Sequence, residues 1–194
     1  MEFIKASELS FDPRPQMGEI FSDGFYELGL KFICKDKAKL ARALAHAFVL
    51  DEFYLAVQGN EIASFIARTN GKPPIKLDKK ILRMEMGFFH GSFTYFILNK
   101  TLANHKYPFE IHQNMGVIEF VATAANFRGK GIAGQLMEFV MDAKHYDKFV
   151  LEVADTNTSA IKLYTRLGFV EFKRTPAPKL SGFKFFIYMN KNKR

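Results

Sequence analysis

The sequence predicts a single α/β domain with a mixed, mostly antiparallel sheet flanked by helices. Three observations predict it. First, Val117 to Ala124 is an apolar run of strand length that passes through a glycine-rich turn into an amphipathic segment ending at Lys144. Second, Phe149 to Ala154 is a nearly continuous apolar run, as expected of a parallel strand covered on both faces. Third, Phe53 to Val57 and Ile62 to Ala67 flank Gln58-Gly59-Asn60, which reads as a β-hairpin. Strand, helix and strand in succession are consistent with a parallel crossover. A chain of 194 residues suits one domain with a sizeable core.

The elements follow in order. Phe3 to Ala6 reads as a first short strand or a lead-in. Asp12-Pro13 and Arg14-Pro15 should break any regular element. Met17 to Phe32 suits one or two short helices around Gly24. Asp36 reads as the N-cap of a helix from Lys37 to Phe48, whose apolar stripe is Leu40, Ala43, Leu44 and Ala47. After the hairpin, Asn70-Gly71-Lys72-Pro73-Pro74 is a turn. Leu77 to Leu102 reads as two helices with a break near Gly87 or Gly91, ended by Tyr107-Pro108. Asn157 opens a helix that runs to about Leu167 and that Gly168 terminates. Val170 to Lys173 and Phe183 to Met189 are the last strands.

The turn after Val117–Ala124 carries the chemistry. It reads Arg128, Gly129, Lys130, Gly131, Ile132, Ala133, Gly134. Ile132, Leu136, Val140 and Ala143 then recur at helical spacing. The first turn of a helix leaves backbone N–H groups unpaired, and the helix dipole adds positive charge there. Absent side chains at Gly129, Gly131 and Gly134, and a small one at Ala133, let an anion rest on those N–H groups. Arg128 and Lys130 add formal charge. A plain strand-to-helix turn using glycine for its backbone freedom fits equally well. The spacing is neither G-x-G-x-x-G nor a P-loop.

At these residues the chain resembles the GNAT superfamily of acyl-CoA-dependent N-acetyltransferases. That family's loop reads Arg or Gln, two residues, Gly, one residue, then Gly or Ala, and Arg128, Gly131 and Ala133 fill those places. A second block follows in NTSAIKLYTRLGF: Asn157, Ala160, Ile161, Leu163, Tyr164, Gly168 and Phe169. The clear resemblance covers about the last 80 residues. It implies that the strand ending at Thr123 and the strand from Phe149 run parallel and splay apart, with acetyl-CoA entering between them. It implies that Arg128 to Gly134 hold the cofactor's phosphates, and that main-chain groups of Val121, Ala122 and Thr123 pair with its pantetheine arm. The pairing would follow the physics of strand addition to an open edge.

Glu119 stands inside VIEFVA, where a carboxylate is unusual. By strand alternation it shares a face with Val117 and Val121. It reads as a structural partner of a cation or backbone N–H, as an exposed strand end, or as a general base, the role the resemblance implies. The resemblance gives Glu152, also in a strand, no role. Asn157 reads as an N-cap, as a cofactor ligand, or as both. Tyr164 reads either as a core tyrosine or, by the resemblance, as the general acid toward the departing sulfur.

The rest of the composition narrows the function. Cys34 is the only cysteine, so no intrachain disulfide and no cysteine-based metal site can form. His46, His90, His105, His112 and His145 show no metal spacing. His105 and His112 flank a loop and could line an acceptor site, although a solvated or structural role suits them as well. The start MEFIKASELS lacks signal-peptide character. Met84 to Leu98 is too short to span a bilayer. A cytoplasmic protein without a membrane partner is expected. The net charge of +8 is dispersed along the chain and reads as solvated surface, with no nucleic-acid partner expected.

With that resemblance, the function implied is acetyl transfer from acetyl-CoA by direct attack of a primary amine, small or peptidic, in a monomer or homodimer. Residues 77–110 are expected to shape the acceptor site. A CoA-binding regulator without turnover, or a basic peptide- or tRNA-binding module, would share much of the same sequence.

Overall fold

The computed structural model describes residues 1–142, 145–178 and 181–193. Seven strands form one sheet: β1 (Glu2–Lys5), β2 (Phe53–Gln58), β3 (Glu61–Thr69), β4 (Met115–Thr123), β5 (Lys148–Ala154), β6 (Val170–Pro176) and β7 (Phe185–Asn192). Their order is β1-β2-β3-β4-β5-β7-β6. Only β4 and β5 run parallel, joined by the crossover helix α5 (Ile132–Met141). The other adjacent strands pair antiparallel.

One face of the sheet is covered by α1 (Arg14–Gly24), α2 (Lys37–Ala45) and α3 (Lys79–Met86). Met17, Phe21, Leu40, Leu44, Phe53, Leu55 and Phe65 fill that core. The other face carries α5 and α6 (Thr158–Arg166), over Ile66, Ile118, Phe149 and Leu151. Phenylalanine fills much of the first core, with Phe21, Phe48, Phe53 and Phe65 meeting edge to face.

Local chemistry sets the helix ends. Asp36 Oδ1 accepts from Lys39 N at 3.0 Å, and Asp78 Oδ1 from Lys80 N at 2.6 Å, so each caps its helix. The expectation that residues 12–15 exclude regular structure fails at Arg14. Pro15 sits in the first turn of α1, where its missing N–H is no loss. Helix α2 stops at Ala45, short of Phe48, which instead bridges to Ile75. Helix α5 ends at Met141, and Ala143 and Lys144 lie outside the described residues. The last two strands reach Pro176 and Asn192, beyond their expected ends.

The break between α3 and α4 (Phe88–Leu98) falls at Gly87, whose φ of 88° suits glycine. Gly91 has a different task. A Cβ there would lie 2.3 Å from the Leu82 carbonyl oxygen, so α4 rests directly on the α3 backbone. Gly91→Ala should therefore destabilise the fold by about 1–3 kcal/mol through overpacking, less the roughly 1 kcal/mol that alanine returns as a helix former. A urea melt checks this. A variant as stable as the parent would show that the hairpin relaxes freely.

Candidate active site

The parallel ladder is short. Met115, Gly116, Val117 and Ile118 pair with Lys148, Phe149, Val150 and Leu151, and no pairing continues beyond them. The two strands therefore separate at Glu119 and Glu152, the next residue on each.

Strand β4 also carries a bulge. Ala67 faces Glu119 and Phe65 faces Ala122, so one residue of β3 opposes two of β4. Phe120 takes φ 51°, the only positive value at a non-glycine among the described residues. Such a backbone costs about 1–3 kcal/mol and is held by packing, here of the Phe120 ring against Phe21 and Phe25. The bulge overturns one expectation. Val117 packs with Met115 and Val150, but Val121 belongs with Ile118 on the α5 face. Glu119 and Val121 do not share a face, because the extra residue resets the alternation.

Glu119 is partly buried and held at both oxygens. The Tyr107 hydroxyl donates to Oε1 at 2.7 Å and Thr69 Oγ1 to Oε2 at 3.3 Å. Burial raises its carboxyl above the usual range, and Tyr107 and His105 pull it part of the way back. Beside it, His105 Nε2 lies 3.1 Å from Glu152 Oε2. Neither atom has another partner among the described residues. The Glu152 carboxylate raises the His105 imidazole despite burial. The His105 and Tyr107 rings meet edge to face at 5.0 Å. Tyr188 stands opposite Glu152 on β7 and completes the group. Sequence reasoning missed Tyr107, Thr69, Tyr188 and the nearness of Glu152. It flagged His105, but paired it with His112, which is exposed and lies 3.9 Å from Glu110. The one available signal was the aromatic segment HKYPF between the helical region and β4.

The glycine-rich loop lies at the C-terminal end of β4. Gly129 and Gly131 take φ 76° and 77°, and a Cβ on either would meet nothing within 4 Å. Glycine is needed there for its backbone conformation, and the space beside it is open. The N–H groups of Gly129, Lys130, Gly131, Ile132 and Ala133 donate to no described residue. Gly134 is placed differently from its expectation. Its N–H donates to Gly131 O at 3.0 Å, and its missing Cβ admits Leu163 of α6. It is a helix-packing glycine.

Arg128 is also engaged. Its Nε donates to Thr123 O at 3.1 Å and its guanidinium grips Asp23 of α1. Lys37 donates to the same carboxylate, which the two cations hold below its usual range. The uncompensated charge on the loop is therefore that of Lys130, which lies over the Phe127 ring at 5.1 Å.

On β4, Ala122 O accepts from Ser64 Oγ and Ala124 N donates to Ala63 O, so both face β3. By alternation the N–H and C=O of Val121 and the N–H of Thr123 face the gap. Asn157 caps α6, with Oδ1 accepting from Ala160 N at 3.2 Å, and its Nδ2 remains able to donate. Tyr164 is buried on the α5–α6 side against Phe169, and burial alone holds its phenol far above the usual value.

Comparison with known proteins agrees with this architecture. The sequence model described as the Acetyltransferase (GNAT) family matches residues 16–169. N-alpha-acetyltransferase 30 of Saccharomyces cerevisiae is 36% identical over 69 residues, 32% of this chain and 39% of that protein. The Schizosaccharomyces pombe protein of the same name is 33% identical over 81 residues, 39% of this chain and 54% of that protein. The chain thus spans about 39–54% of the length of these curated relatives. An N-acetyltransferase from Staphylococcus aureus Mu50 shares the fold at TM-score 0.65 and 15% identity, over 98% of this chain and 100% of that one. A ribosomal-protein-alanine N-acetyltransferase from Brucella melitensis does so at TM-score 0.62 and 14% identity, over 99% of each chain. A splayed parallel pair, an open glycine loop at the end of its first strand and a family match over most of the chain lead to one conclusion: this protein belongs to the acetyltransferase (GNAT) family.

Proposed function

We propose that the chain transfers an acetyl group from acetyl-CoA to a primary amine, and that a peptide α-amine is its preferred acceptor. One observation carries the reading. A carboxylate with a raised pKa, Glu119, stands where the parallel strands part, on the strand that leads into the open N–H groups of Gly129 to Ala133. Those N–H groups and Lys130 suit the diphosphate of CoA. The free groups of Val121 and Thr123 suit its amide-bearing arm, and Asn157 Nδ2 can serve as a further donor. Arg128 acts by fixing the loop to Asp23. Acetyl-CoA supplies an activated thioester.

The residues of the chain then handle protons. Glu119, oriented by Tyr107 and Thr69, takes the proton of the acceptor amine, directly or through a water. A protonated His105 favours the ionised form of Glu119, while the neighbouring Glu152 carboxylate opposes it. An α-amine with a pKa of about 7.7–8.0 is roughly one part in ten neutral at pH 7, whereas a lysine side chain is about one part in several thousand. A lone carboxylate base therefore serves α-amines far better, in keeping with the names of the curated relatives. Direct attack fits Cys34, which is buried and spends its thiol on Asp36 O at 3.5 Å. We place the protein in the cytoplasm, and no described helix is long and apolar enough to cross a membrane.

The test is free-thiol release from acetyl-CoA with peptides, free amino acids, polyamines and aminoglycosides. Turnover with unblocked peptides and none with their N-terminally blocked forms is expected. CoA binding without turnover on any amine would overturn the reading in favour of a CoA-binding regulator.

Tyr164→Phe tests the proposed acid. Phenol and thiol differ by about 1.5 pKa units, so protonating a thiolate from a free tyrosine is already uphill by about 2 kcal/mol. Burial of Tyr164 adds to that. The loss in turnover should be about tenfold, the low end for general acids, with CoA binding retained. Unchanged turnover from pH 6 to 8 would make Tyr164 a core residue only.

A further inference from the structure

The helix hairpin α3–α4 carries an apolar surface that nothing in the site uses. Phe88, Phe89, Phe93 and Phe96 are exposed on α4 and Met84 on α3, Phe89 at 86% and Met84 at 80%. His90 Nε2 bonds Ile33 O at 2.6 Å, and Phe32, the residue before Ile33, is also exposed. Scattered exposed phenylalanines need no account, but a cluster of this size on one hairpin does.

The charge around the patch is predominantly positive. No aspartate or glutamate occurs from Met86 to Phe109. Of the nearby carboxylates, Asp78 caps α3 and Glu85 pairs with Arg42. Lys72, Lys76, Lys80 and Lys100 are exposed. Two further cations lie on the aromatic surface itself: Arg83 sits 4.2 Å from the Phe88 ring centroid and Lys79 5.7 Å from that of Tyr95. Lys80 stands one turn before Met84 on α3 and Lys100 one turn beyond Phe96, so these two lysines flank the apolar face.

We propose that this hairpin docks the protein on an anionic lipid surface, with the α4 phenylalanines entering the acyl boundary and the lysines at headgroup level. Phenylalanine has no polar atom that needs a shaped partner, so a fluid apolar layer satisfies it. Anionic headgroups complement a rim without free carboxylates. The protein lies on the bilayer and does not cross it.

The full chain is sedimented with vesicles of phosphatidylcholine alone and of phosphatidylcholine mixed with phosphatidylglycerol. Binding to the mixed vesicles only is expected, weakened at least tenfold by raised salt as screening predicts. The triple variant Phe89→Ser, Phe93→Ser, Phe96→Ser should lose it at least tenfold, and so should Lys80→Glu with Lys100→Glu. A parent-like far-UV circular dichroism spectrum and a cooperative thermal melt report that both variants are folded. Equal binding to neutral vesicles, no binding, or binding unchanged in either variant would overturn the proposal. A concentration-dependent dimer that the triple variant abolishes would also overturn it, by making the patch a self-interface.

Discussion

Glu119→Gln is expected to lower turnover by about a hundredfold to a thousandfold, within the range for loss of a positioned general base. Glutamine keeps the shape: its amide oxygen can accept from Tyr107 while its NH2 group donates to the Thr69 hydroxyl oxygen, so CoA binding and the fold should survive. Parent activity should climb as pH rises through the raised pKa of Glu119, because the ionised form is the base. The variant should lack that limb. Stability moves the opposite way. A carboxyl whose pKa is raised by burial binds its proton more tightly folded than unfolded. The parent therefore loses stability as pH rises from the ordinary glutamate value through the raised one, and the variant should lose less. Steady-state thiol release across pH, alongside thermal melts, measures both. Full activity at neutral pH would make Glu119 a structural partner of Tyr107 and nothing more.

Gly131→Glu is expected to abolish the rise in melting temperature that acetyl-CoA gives the parent. A ligand at a hundred times its Kd stabilises by about 2.7 kcal/mol, or roughly 5–10 °C for a chain of this size. The substitution puts a carboxylate into open space beside the free N–H groups, where it repels a diphosphate. It also places a side chain at φ 77°, a strain of about 1–2 kcal/mol. Gly131→Asn separates the two effects, because asparagine tolerates the left-handed region and carries no charge. The asparagine variant should retain most of the shift. A full shift in the glutamate variant would remove the loop from the cofactor site.

Much of this protein was legible without coordinates. Period-two and period-3.6 patterning located β2, β3, β4, β5, α2, α5 and α6, because each buries one face or both. Cap chemistry marked Asp36 and Asn157, since a short polar side chain satisfies the first-turn N–H groups wherever the helix begins. The open loop was legible because αL geometry is a local demand that glycine meets locally. Boundaries at Ala45 and Met141 were not, because helix ends depend on what the following residues find to pack against.

The sequence by itself determined the element order, the glycine loop and the candidate base, since each is written in contiguous residues. Tertiary structure alone decided what surrounds that base. Tyr107 and His105 arrive from a loop, Thr69 from β3 and Glu152 from β5, and no spacing rule links them. It likewise decided that Gly134 serves α6, that Arg128 is tied to Asp23, and that the bulge at Phe120 turns Val121 to the other face. All three depend on partners tens of residues away or on the register of a neighbouring strand. A single chain segment cannot encode a contact whose other half is supplied by the fold.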